Sequence, residues 1–134
     1  MKLKYKKGVK NRIGARGEKY AARWLWLHGY RIIGRNVEMR SGELDIIAAK
    51  GQYICFCEVK TRKDGKNIEI YGRPAKAVNR EKRIHIVRAV KEYLSDHPSD
   101  KQPRLDIIEV YLDPDKPRKH RVVHIERAFG DDSR

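Results

Sequence analysis

The sequence is poor in cysteine, phenylalanine and acidic residues, and it has no long hydrophobic run. Each shortage excludes something. Two cysteines, Cys55 and Cys57, stand two apart and fit neither a CxxC redox pair nor a zinc ligand set. They read as small core residues. Apolar stretches such as Trp24 to Leu27 are far too short to span a bilayer, and the basic start MKLKYKKGVKNR has no apolar stretch of the signal-peptide kind. A cytoplasmic protein is expected. His120 and His124 are too sparse to suggest a metal set, and no internal repeat is visible.

What is present is positive charge. Lys and Arg number 32 against 18 Asp and Glu, a formal net charge of +14 over 134 residues. Such a surface attracts polyanions, with nucleic acid ahead of an anionic membrane. The length suits a single domain, from about residue 13 to 128, behind a basic arm at 1–12 and before a short tail at 129–134.

The periodicity predicts seven regular elements in the order αβββαββ. A helix from about Gly14 to His28 ends at Gly29. Strands follow near Tyr30–Val37, Glu43–Ala49 and Tyr53–Lys60, the last two joined by a tight turn at Lys50 and Gly51. A polar loop covers residues 61–74, a second helix runs from about Ala75 to Ser95, and strands near Arg104–Leu112 and Arg121–Arg127 complete the chain. The stretch YICFCEV is apolar at odd and even positions alike, which marks a central strand covered on both faces. An α/β sandwich is therefore expected, not a barrel or a helical bundle.

The charged ends of these apolar strands need a reason, because burying charge is costly unless it is paired, bound to metal or solvated in a cleft. Glu58 and Lys60 lie two apart and share a strand face. With Lys50 and Gly51 as a two-residue loop, Ala49 pairs with Gln52 and Asp45 faces Phe56. Glu58 then lies diagonally across from Asp45 on the same face, at roughly 7–8 Å between Cα atoms. Two carboxylates so placed can share a cation, and a one-residue slip would separate them. On the first helix, Glu18 sits in the middle of a stripe of Ala15, Ala21, Ala22, Leu25 and Trp26. That acid is either half of a structural ion pair or a member of a carboxylate cluster. The bland alternative for Glu58 and Lys60 is an intrastrand ion pair at a solvated strand end.

Carboxylates with a lysine alongside suit a hard cation such as Mg²⁺, which takes few protein oxygens and keeps several waters. The chemistry to which they point is phosphodiester hydrolysis, with Lys60 orienting water or neutralising charge on the transition state. Basic residues that can reach a phosphate backbone are Arg12 and Arg16, then Arg62, Lys63 and Arg73 in the loop, then Lys82 and Arg83 on the second helix. Taken singly, each of these reads first as a solvated surface charge. Arg83 falls on the apolar stripe of its helix, from which it can reach a buried acid, and Tyr71 is a candidate for base stacking. Arg104 and Asp106, two apart, read as a structural pair near the site.

GARGEKYAARWLWLHGYRIIGRN, SGELDIIA, CFCEVKTR and PRLDIIEV, in this order over residues 13–112, resemble the successive blocks of the YraN family (UPF0102). Its members are predicted endonucleases related to archaeal Holliday-junction resolvases within the PD-(D/E)xK superfamily. The resemblance implies a restriction-endonuclease-like, three-layer fold with a central mixed sheet of about five strands between helices. It implies that Asp45 and Glu58 bind Mg²⁺ or Mn²⁺, that Glu18 assists the metal site and that Lys60 serves catalysis. It also implies a DNA substrate, branched or structured, and a homodimer, since two strands need two sites. A nucleic-acid-binding protein that keeps this fold without turnover is the alternative.

Overall fold

The computed structural model describes residues 12–63, 79–113, 115–116 and 118–130, the side chains of 12, 13 and 63 apart. Its elements follow the expected order: α1 (Arg12–Leu27), β1 (Arg31–Met39), β2 (Gly42–Lys50), β3 (Tyr53–Lys63), α2 (Arg80–Asp96), β4 (Gln102–Leu112) and β5 (His120–Ile125). The strands form one five-stranded sheet in the order β1-β2-β3-β4-β5. Only β3 and β4 pair in parallel, which makes the sheet mixed. Their connection carries α2, as a parallel pair requires a crossover.

Two apolar clusters lie on opposite faces of the sheet. Ala21, Ala22 and Leu25 of α1 pack with Ile46, Cys55, Cys57 and Ile108 on one face. On the other, Ile86, Ala89 and Val90 of α2 pack with Ile47, Phe56 and Ile107. The central strand is thus buried on both sides, as its unbroken apolar run requires. Both cysteines are free and buried.

Several boundaries differ from the sequence reading. Residues 61–63, expected in a loop, continue β3, because β4 pairs with that strand as far as Lys63↔Leu112. Helix α2 begins at Arg80, where Asn79 caps it by accepting the Lys82 amide at 2.8 Å. The remainder of the expected loop, Arg73 and Tyr71 with it, and the basic arm through residue 11 lie outside the described residues. Trp26 and Ala15, placed on the buried stripe of α1, are exposed, Trp26 at 67%. Trp24 packs inward in place of Trp26, stacked on His28 and edge-on to His124.

The β2–β3 turn also differs. Lys50 pairs with Tyr53, so the loop is Gly51–Gln52 and not Lys50–Gly51. Gly51 has φ of 59°, the left-handed conformation that the first position of a type II′ hairpin turn demands and that glycine adopts without a Cβ penalty. The register therefore moves by two residues, an even step, and every side chain keeps its face.

Candidate active site

The register shift decides where the acids meet. Ladder pairing of β2 with β3 ends at Ile46↔Cys57, and one step further Asp45 comes level with Glu58 itself, instead of lying diagonal to it. The ladder stops there because Asp45 takes over a backbone role: its Oδ2 accepts the Val59 amide at 2.9 Å. On the other side of β2 the pairs step from Arg35↔Ile46 to Val37↔Leu44, and Asn36, level with Asp45, has φ of 51°. Leu44 and Ile47 then share one apolar cluster although three residues apart. Alternation is interrupted at Asp45, and β2 parts from β3.

A cleft of about 700 Å³ opens at this parting, lined from both layers. Glu18 comes from α1, Asp45 from β2, Glu58 and Lys60 from β3, and Lys82 with His85 from α2. All four residues expected to form the site line this one cleft. Glu18 is buried to 5% exposure and Glu58 to 6%, whereas Asp45 and Lys60 are partly buried. Gly17 permits the approach of α1. A Cβ at that position would stand 2.8 Å from Thr61 Cβ and closer still to its hydroxyl, so only glycine lets the helix lie against β3 and bring Glu18 over the parted strands.

Lys60 stands in the cleft with Glu58 as expected, but a second cation joins it. Lys82, expected at a phosphate, forms an ion pair with Glu58, Nζ to Oε2 at 2.8 Å. Arg83, expected to reach a buried acid, does not line the cleft. One turn past its cap, Lys82 faces β3, a choice of helix phase that periodicity alone could not settle. The Lys60 ammonium has its pKa lowered, first by burial and then by the charge of Lys82, with Glu58 opposing. Arg62 pairs with Glu109 on β4 at 3.5 Å, and Glu109 also accepts the Tyr111 hydroxyl at 2.5 Å. Arg16 is partly buried on α1 outside the cleft lining. The side chains of Arg12 and Lys63 are not among those described. His85 went unnoticed in the sequence because a single histidine on a helix carries no pattern.

The donor set suits a hard divalent cation: three carboxylates, one already balanced by an ammonium, which marks the place as one that accommodates positive charge. The three acids are nevertheless looser than a closed cage. Among the described residues, the one group of three whose donor atoms all lie within 4.8 Å is Cys57, Asp106 and His124.

That second group sits on the α1 face of the sheet, opposite Glu58. Arg104 and Asp106 do pair, as expected, yet across the sheet from the cleft and not beside it. Asp106 is wholly buried and accepts from Arg104 Nη2 at 2.9 Å and Nε at 3.1 Å, from the Arg127 amide at 3.1 Å, and from His124 Nε2 at 2.7 Å. An ionised carboxylate only accepts, so His124 carries its proton on Nε2. Burial alone would raise the Asp106 pKa. The bonds from His124, Arg104 and the Arg127 amide outweigh it, and the pKa lies below the ordinary 3.8. Arg104 also donates to the Tyr30 hydroxyl at 2.7 Å. With both carboxylate oxygens engaged and a guanidinium against them, this is a closed polar network inside the core, assembled from residues that look scattered in sequence.

The fold and the cleft define an α/β protein whose mixed sheet parts to present Asp45, Glu58 and Lys60 to a cleft that Glu18 of α1 also lines. The family follows from likeness. Residues 17–110 match the model of "Uncharacterised protein family UPF0102". A UPF0102 protein of Caldanaerobacter subterraneus subsp. tengcongensis is 42% identical over 125 residues, 92% of this chain and 99% of that one. Another, of Symbiobacterium thermophilum, is 41% identical over 122 residues, 90% and 98% of the two chains. A third, of Chlorobaculum tepidum, is 44% identical over 123 residues, 87% and 91%. The chain belongs to the UPF0102 family, as its sequence blocks imply. No helix among the described residues is long and apolar enough to cross a membrane.

Proposed function

We propose that this protein is a divalent-metal-dependent DNA endonuclease with a resolvase-like, restriction-endonuclease-type fold, which hydrolyses phosphodiester bonds in branched or structured DNA. The observation that carries this reading is the convergence of Glu18, Asp45, Glu58 and Lys60, from three elements, on one cleft. Asp45, Glu58 and Glu18 would hold Mg²⁺ or Mn²⁺. Bound there, the ion supplies Lewis acidity towards the phosphoryl oxygen and lowers the pKa of a water.

The protein's own residues do the rest. The Val59 amide fixes the Asp45 carboxylate, and burial between two layers fixes Glu58. Lys60, partly buried in the same cleft, presents an ammonium to the charge that develops on the phosphoryl group and to the attacking water. The net charge of +14 draws DNA to the cleft without regard to sequence, through phosphate contacts of Lys82 and the basic residues of α1, β3 and the loop. The setting is the cytoplasm, and a homodimer would bring two such clefts to two strands.

A DNA-binding protein without turnover is the second reading, favoured by the ion pair that already closes Glu58. Incubation with branched, flap and linear DNA in Mg²⁺ or Mn²⁺ separates the two. Cleavage by the native chain, lost in Asp45→Ala and in Glu58→Ala, is expected. Binding without cleavage in every condition establishes the second reading, and cleavage that persists in both variants removes the assignment.

A further inference from the structure

The cleft holds two ammonium groups near the buried Glu58, and their positions are unequal. Lys60 rises from the same strand as Glu58. Lys82 reaches across from α2 and closes on Glu58 Oε2 at 2.8 Å. The Glu58 side chain is 6% exposed, while that of Lys82 is 48% exposed. A rigid acid thus faces a long, solvated and movable cation. The backbone of Lys82 stays anchored by the Asn79 cap whatever its side chain does.

Lys82 Nζ sits on Glu58 Oε2 at 2.8 Å, so a divalent ion brought to that carboxylate meets a second cation a few ångströms away and is repelled by it. We propose that Lys82 is an exchangeable counter-ion of Glu58: it neutralises the acid when no metal is bound, and it moves to a DNA phosphate when a divalent cation takes its place. This rests on the cation-binding reading of the cleft given above. The consequence is linkage. DNA that draws Lys82 away uncovers Glu58 for the cation, and the cation that displaces Lys82 frees it for phosphate, so each tightens the other by the same factor. Without DNA the ion pair holds metal affinity down, which limits metal loading away from substrate.

The test is a Mn²⁺ titration of the full chain at constant ionic strength, read by electron paramagnetic resonance, in the native protein, Lys82→Met, Lys82→Gln and Glu58→Gln. Both Lys82 variants keep the apolar stem on the helix, and circular dichroism confirms their folding. Without DNA, each is expected to bind Mn²⁺ about threefold more tightly or better, since a competing ion pair has gone. In a second measurement Ca²⁺ should tighten binding of a branched DNA to the native chain, and Lys82→Met should lose that gain. Equal or weaker Mn²⁺ binding in both Lys82 variants, with Glu58→Gln still abolishing it, overturns the exchange and leaves the proposed function standing. Mn²⁺ binding unaffected by Glu58→Gln overturns both.

Discussion

Asp106 and Glu58 are both buried carboxylates on neighbouring strands, on opposite faces of one sheet, and each is balanced by one cation from its own chain. The difference lies in the cation. Asp106 faces Arg104, whose side chain is 6% exposed, within a closed set of hydrogen bonds. Glu58 faces a half-solvated lysine at the lip of a cleft. A buried acid with an immobile partner belongs to the architecture, whereas one with a replaceable partner is open to ligands. Burial and a nearby positive charge do not by themselves separate the two.

The comparison can be broken most directly at the closed end. Asp106→Ala should cost about 3–5 kcal/mol, because the buried Arg104 is left with only the half-exposed Glu126, 3.7 Å away, to balance it. Urea unfolding checks this, and a loss below about 1 kcal/mol would show the network to be dispensable. Glu58→Ala should do the reverse: cleavage falls at least about a hundredfold, the scale for removal of one preorganised electrostatic group, while the unfolding midpoint moves far less. Parallel activity and denaturation measurements on the two variants make a direct double contrast.

Gly17→Ala sharpens the boundary between fold and site, since it pushes α1 off Thr61. A loss of about 1–3 kcal/mol is expected, together with weaker Mn²⁺ binding as Glu18 withdraws. Unchanged metal affinity would remove Glu18 from the site. The pH dependence, compared between native protein and an Asp106 variant, tests Asp106. Its folded pKa is depressed, so its contribution to stability is present above the ordinary value of 3.8 and is lost as pH falls through the depressed one. Native protein should therefore lose stability below about pH 4, and Asp106→Asn should lose less over the same window by urea titration. The smallest effect belongs to Trp26→Gln, expected within about 0.5 kcal/mol by thermal unfolding because that ring is solvated, whereas the same change at Trp24 should cost several times more.

The element order was legible because each segment carries a strong local signal: continuous apolar strands, a period of 3.6 on α1, glycine at the turns. Glu18, Asp45, Glu58 and Lys60 were legible because a charge at the end of an apolar strand, or inside an apolar stripe, is a contradiction that calls for a site. Helix phase was less so. Trp26 was placed inward where Trp24 packs, an error of two residues on a helix, and the pairing of Lys82 with Glu58 was not foreseen. The hairpin was displaced by two residues, and the site survived only because side chains keep their face through an even step.

Sequence by itself determined the family, the alternation of helices and strands, the excess of positive charge and the acids that meet in the cleft, since all of these rest on local pattern or residue type. Tertiary structure alone decided that β2 parts from β3 at Asp45, that Lys82 closes Glu58, and that Cys57, Asp106 and His124 meet on the far face. Those contacts join residues up to tens of positions apart, and their geometry depends on strand register and helix phase, which no local pattern encodes.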